Sequence, residues 1–198
     1  MLRRSFLLLA TLLIALAPTA SAEVIEWKLD QAHSNVGFKV RHFMISWIRG
    51  QFNETDAIIS VDKDDLSTLK MTVNINPASV DTGVQRRDDH LRNQDFFDVE
   101  TYPTMTFVST SADVQADGTV KLTGDLTMHG VTNEVTLDVD GLDSIVDPGS
   151  GPRTGATATG VLKRSDYGMT FTEIIEAGGI TIGDEIYIEI EVELRPTK

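Results

Sequence analysis

The sequence predicts an all-β domain, either a closed antiparallel barrel or a sandwich, with one or two short helices. Three observations predict it. Apolar and polar residues alternate with a period of two in segment after segment. Glycine, aspartate and proline turn signals separate those segments. Helical periodicity is sparse, and no long linker or repeat divides the chain, which suits roughly eight strands joined by hairpins.

The elements follow in order. Met1 to Ala22 has the form of a cleavable secretory signal peptide: Arg3 and Arg4, an apolar run from Phe6 to Ala17, then Pro18 and the Ala20-Ser21-Ala22 cleavage site. That run is shorter than the roughly 20 apolar residues a membrane anchor needs. Residues 23–198 then form a single domain. Phe38, Val40, His42 and Met44 alternate with Lys39, Arg41 and Phe43, and His33 is expected on the same long strand. Asp64 to Leu69 suits one short helical turn, and Met71, Val73 and Ile75 a strand. Asp81 or Thr82 is placed to cap a helix from about Val84 to Asn93. Met105 and Phe107 open the next strand. Asp117-Gly118 and His129-Gly130 suit tight hairpins around Val120–Met128, and Val135, Leu137 and Val139 follow. Asp147 to Pro152 is a loop, and Gly178-Gly179 and Gly183-Asp184 punctuate the approach to the last strand.

That last strand separates barrel from sandwich. Ile186, Ile188, Ile190, Val192 and Leu194 alternate with Tyr187, Glu189, Glu191 and Glu193. At about 3.3 Å per residue the apolar face runs for about 30 Å, which suits a tall barrel. Eight strands enclose either packed side chains or one small ligand. Gly124, Ala156, Ala158 and Gly160 fall on inner faces, and their small side chains leave room for a cavity.

Composition excludes several functions. With 17 Lys+Arg against 30 Asp+Glu the formal charge is −13, which opposes nucleic-acid binding. The absence of cysteine removes disulfides, thiolate catalysis and Cys-ligated metals. The four histidines, His33, His42, His90 and His129, show no zinc-helix spacing, so no metal is expected. Ser34, Ser79 and Ser109 lie in no nucleophile elbow, and Gly178-Gly179 lacks the lysine of a phosphate loop. Neither a catalytic residue nor a cofactor is assigned.

Read in order, Trp27-Lys-Leu-Asp30, Ala32-His33-Ser34, Val36-Gly-Phe38, Gly50-Gln-Phe52, Arg86-Arg87-Asp88-Asp89-His90-Leu91, Asp95-Phe96-Phe97-Asp98, Tyr102-Pro103, Leu126-Thr-Met-His-Gly130, Arg164, Tyr167-Gly168 and Ile182-Gly-Asp184 resemble the YceI-like family of periplasmic, lipocalin-like barrels. The resemblance covers essentially all of the chain after Ala22. It implies an eight-stranded antiparallel barrel with a helix near one end and a long apolar channel that binds a polyisoprenoid or similar amphiphile. It does not imply an enzyme. Asp89 departs from the pattern, standing where a small residue is expected.

The residues expected to line that channel are Phe38, Val40, His42, Met44, Trp47, Phe52, Met105, Phe107 and Met128, with Arg87 and Arg164 as cations for a head group. A filled apolar core would show the same periodicity. The expected function is periplasmic carriage or sequestration of an isoprenoid, quinone tail or fatty-acid derivative. The rival readings are a hydrolase or isomerase using His42 or His90 with Asp88, and a ligand-free partner of a membrane protein. Transient membrane contact and a homodimer through exposed strand edges stay open.

Overall fold

The computed structural model describes residues 24–173 and 181–197. The signal peptide and the Gly178-Gly179 turn lie outside the described residues. Twelve strands and one α-helix follow in order among them: β1 (Val24–Leu29), β2 (Asn35–His42), β3 (Ser46–Phe52), β4 (Thr55–Asp62), β5 (Asp65–Ile75), β6 (Val80–Asp81), α1 (Gln85–Arg92), β7 (Met105–Val114), β8 (Val120–Met128), β9 (Val131–Asp140), β10 (Ile145–Val146), β11 (Arg153–Lys163) and β12 (Ile182–Pro196).

Eight of these close into an antiparallel barrel. The neighbours run β11-β9-β8-β7-β5-β4-β1-β12, and β12 returns to β11 over ten paired positions from Thr154↔Leu194 to Lys163↔Glu185. The length of β12, 15 residues, explains the closure. Its last residues pair with β1 (Leu29↔Leu194) and its earlier ones with β2 (Val40↔Ile186), so β1 and β2 share one partner end to end. A short 3₁₀ turn at Gln31–His33 breaks them apart, capped by Asp30, whose side chain accepts from the Ala32 amide. The single long strand expected to hold both His33 and His42 is therefore two strands with a bend.

The expected hairpins form. His129 and Gly130 take φ of 52° and 74°, the left-handed pair that joins β8 to β9, and Gly118 takes 90° between β7 and β8. Other local expectations are corrected. Asp64 to Leu69 makes no helical turn; it opens β5, because Leu69 and Met71 face the core and extend the period-two pattern backwards. Gly183 lies within β12, beside an irregularity in register between Ile182 and Ile186. Helix α1 matches its expected span but not its cap. Val84 occupies the N-cap without a side-chain bond, while the Thr82 amide and hydroxyl both donate to Asp88 Oδ1 from inside the helix.

One end of the barrel carries α1. The register places Thr55, Ile75, Met105, Met128, Lys163 and Ile182 at that end, and Asp62, Val114, Val120 and Leu194 at the other. The chain crosses this helical end between β5 and β7. Arg92 ties α1 down by donating to the Ala78 and Val80 carbonyls at 2.7 and 2.9 Å. The β6 segment in turn pairs with β3 at Phe52↔Val80.

Candidate functional site

The inner faces of the strands do not fill the barrel. They enclose a cavity of ≈ 260 Å³. All five alternating residues of β12, Ile186 to Leu194, line it. Eight residue steps at about 3.3 Å, tilted by about 40°, give a lumen about 20 Å long. Its lower half is wholly apolar, lined by Leu122, Leu137, Val139, Leu142, Ala158 and Val192.

Polar groups gather at the helical end. Arg164 is only 6% exposed. Its Nε donates to the Gly183 carbonyl at 3.0 Å, Nη1 to Met169 at 2.6 Å and Nη2 to Ile182 at 3.4 Å. A guanidinium has five N–H groups, so two have no partner among the described residues while the side chain lines the lumen. No carboxylate lies within ion-pair distance of it there. Burial pulls its pKa below the ordinary arginine value, and the more distant Asp184 charge opposes that. The guanidinium remains charged. Arg87 also lines the lumen, with Nε on the Thr82 hydroxyl at 2.6 Å and Nη2 on the Thr82 carbonyl at 2.8 Å. Thr55 adds a buried hydroxyl with no hydrogen-bond partner, on a residue that borders the same space. The accessible wall of the cavity is thus apolar almost throughout, with Arg87, Arg164 and Thr55 among its lining residues at the helical end. It can exclude water from a long chain.

Of the residues expected from sequence, Phe38, Val40, Phe52, Arg87, Met105, Phe107, Met128 and Arg164 border the lumen. Three do not, and the expectation for them is corrected. Trp47 pairs with Arg41 while Ile48 pairs with Val40. Directly opposed residues share a face, so Ile48 points inward and Trp47 outward. Met44 lies in the turn between β2 and β3 and is 55% exposed. His42 ends β2, and its ring lies against Phe43, centroids 4.1 Å apart, outside the lumen. Parity along one strand could not reveal this without the register of its partner.

Sequence reasoning missed Ile48, Thr55, Thr82, Leu91, Phe96 and Phe97, all of which line the cavity. The Asp95-Phe96-Phe97-Asp98 run was visible as a motif, but nothing local placed it over the barrel end. The small inner residues also behave differently from expectation. A Cβ on Gly124 would lie 2.5 Å from Phe107 Cζ, and one on Gly160 would lie 2.8 Å from Leu137 Cδ2. These glycines are slots for neighbouring side chains. They let large groups lie flat on the wall and keep the axis open. Ala156 and Ala158 do face the lumen.

The acid–base pair of the enzymatic reading is not assembled. His90 borders the lumen, but its Nε2 donates to Asp95 Oδ2 at 2.9 Å, and Asp88 is occupied by Thr82. Asp89 sits on the exposed face of α1, accepting from Gln85 and Arg92.

A closed eight-stranded barrel around an apolar lumen defines the class of lipocalin-like ligand-holding barrels. Comparison with known proteins narrows it. The YceI-like domain matches residues 27–194. A UPF0312 protein of Staphylococcus aureus strain MSSA476 is 37% identical over 165 residues, covering 83% of this chain and 94% of that protein. The YCEI protein of Campylobacter jejuni superposes with a TM-score of 0.68 at 36% identity, covering 86% and 96% of the two chains. BcnA of Burkholderia cenocepacia does so with 0.71 at 25% identity, over 83% and 98%. A polyisoprenoid-binding domain of Saccharophagus degradans, implicated in plant cell wall breakdown, shares the fold with a TM-score of 0.62 at 19% identity, over 87% and 99%. The chain belongs to the YceI-like family.

Proposed function

We propose that this protein is a periplasmic carrier or store for a long apolar amphiphile, exported through the leader Met1 to Ala22. The ligand class is an isoprenoid, a quinone tail or a fatty-acid derivative, held with its chain in the lumen and its head at the helical end. The observation that carries the reading is the cavity itself: an unbroken apolar lumen, with Arg87 and Arg164 among its lining residues at one end.

The mechanism is desolvation. Each methylene moved from water into a dry apolar tube contributes about 0.8 kcal/mol, so ten of them supply about 8 kcal/mol before ordering costs. The walls provide that term for any slender chain. The head is discriminated by direction: the spare N–H groups of Arg164 favour a phosphate, carboxylate or carbonyl oxygen, which guanidinium binds strongly. This function calls for no covalent step. The Saccharophagus domain names one such ligand class for itself; for this chain the support is the lumen.

The test is native mass spectrometry on protein recovered without detergent, followed by organic extraction. The expected result is a discrete added mass that extracts as a prenyl or acyl lipid, or that appears on incubation with prenols, quinones or fatty acids. An apo mass unchanged by all three would overturn the reading in favour of an empty or self-filled barrel.

A further inference from the structure

The turn between β2 and β3 combines two costs. Phe43, Met44 and Ile45 are 39%, 55% and 82% exposed. Three consecutive large apolar residues at a turn tip are unusual in a chain with formal charge −13. The backbone disfavours them too. Phe43 and Met44 take φ of 49° and 60°, left-handed positions normally given to glycine or asparagine. Phe43 packs on the His42 ring, but solubility gains nothing from the exposed Met44 and Ile45. Strain of this kind points toward function.

The outer wall beside the tip has matching chemistry. Trp47 stands on the outer face with its ring edge-on to Tyr187, centroids 5.1 Å apart. The Arg41 guanidinium lies 3.9 Å from the Trp47 ring centre, and Lys39 Nζ lies 5.2 Å from it. Lys39 and Arg49 share one carboxylate, Glu189, and Arg41 has no ion-pair partner among the described residues. The face therefore sets three cations, Lys39, Arg41 and Arg49, against two carboxylates, Glu189 and Glu185, the latter accepting from the Tyr187 hydroxyl at 2.8 Å, on a strongly acidic protein. Apolar tip, amphipathic aromatic and flanking cations occur here in the order in which a bilayer presents acyl chains, interface and anionic head groups.

We propose that this face docks on a phospholipid bilayer containing anionic lipid, with residues 43–45 inserted below the head groups and Trp47 at the interface. The tip lies at the helical end of the barrel, since His42 pairs with Ile182. Docking therefore brings the cationic end of the lumen to the membrane, where an amphiphile can move between bilayer and barrel. The proposal rests on the surface itself. It stands or falls without the identity of any lumen ligand.

Vesicle co-sedimentation and tryptophan fluorescence test it. The protein is mixed with vesicles of phosphatidylcholine, or of phosphatidylcholine and phosphatidylglycerol at 3:1. Wild type and variants carry the same N-terminus, verified by intact mass. Trp27 is buried in the core, 1% exposed, so a blue shift or quenching by brominated lipid reports on Trp47. Binding to the mixed vesicles is expected, with Trp47 quenched. Phe43→Ser/Met44→Asn/Ile45→Thr is expected to weaken partitioning by at least about tenfold while leaving the unfolding temperature unchanged or raised. Ile45→Asp, a change at a side chain that is 82% exposed, provides the same comparison with little effect on packing. No wild-type binding to either vesicle overturns the proposal. So does undiminished binding by the folded variants. Loss of dimer rather than of vesicle binding would assign the face to a second copy of the chain, and overturns it equally.

Discussion

Gly50→Ala should narrow the lumen and loosen the fold at once. Gly50 pairs with Phe38 across β2 and β3, both on the inner face. A Cβ built there would lie 2.5 Å from Phe38 Cζ, 2.9 Å from Cε1 and 2.9 Å from Thr82 Cγ2. Carbon atoms rest about 3.5–4.0 Å apart, so the ring must withdraw by about 1 Å. It cannot move freely. Phe38 packs against Phe52 and Phe52 against Phe97, each pair with centroids 5.6 Å apart. The ring is therefore driven from the wall toward the lumen. Overpacking of this kind costs about 1–3 kcal/mol. The backbone of Gly50 is not left-handed, so alanine recovers about 0.5–1 kcal/mol of chain entropy. The net loss is about 0–2.5 kcal/mol, or up to roughly 10 °C in Tm for a domain of this size. Ligand affinity should fall about tenfold if the displaced ring excludes two methylenes from contact. The assay is thermal unfolding by circular dichroism, with displacement of a fluorescent acyl or prenyl probe. Phe38→Leu added to Gly50→Ala should restore both readouts, because the shorter side chain vacates the clash. An unchanged Tm with unchanged affinity would refute the slot argument. So would a double variant no better than Gly50→Ala alone.

Three further outcomes follow from the same geometry. Thr55→Val should stabilise the ligand-free protein by about 1 kcal/mol in denaturant titration, because it removes a buried hydroxyl that lacks a partner; destabilisation would show that the hydroxyl is satisfied. Arg164→Met should cost about 3 kcal/mol or more, since it strands the Gly183, Met169 and Ile182 carbonyls, and Arg164→Lys should recover only part of that. Tyr167 is buried, and burial pushes its phenol up to about 12. Ultraviolet titration should find Tyr167 resisting ionisation until about pH 12, with Tyr187 also raised by its hydrogen bond to Glu185. A raised folded pKa makes its contribution to stability complete below the unfolded value near 10 and lost as pH rises toward 12. A Tyr167→Phe variant should therefore remove part of the alkaline unfolding between those limits.

Much of the architecture was legible because period two survives in any environment. The alternation along Ile186–Leu194 specified an inner and an outer face, and the structure puts all five aliphatic residues of that run on the lumen. His129-Gly130 announced a hairpin because only certain residues adopt the backbone that a tight turn needs. The candidate site was less legible. Periodicity assigns Met44 and Trp47 to the lining, yet one sits on an exposed turn and the other on the outer face, because facing depends on which residue of the partner strand lies opposite. Phe96 and Phe97 belong to a crossing loop, and no periodicity connects a loop to the barrel end it covers.

Local sequence determined what each segment is: an apolar-in, charged-out strand, a turn, a short helix between Val84 and Asn93. Those choices need only neighbouring side chains and backbone preferences. Tertiary structure decided whether the barrel would be solid or hollow. Phe38 lies over Gly50, Phe107 over Gly124 and Leu137 over Gly160, each a large side chain on one strand using the missing Cβ of another. Those contacts join residues on paired strands and exist only once the strands are in register. The empty space is a property of the closed sheet, because packing is decided by strand partners and not by neighbours in sequence.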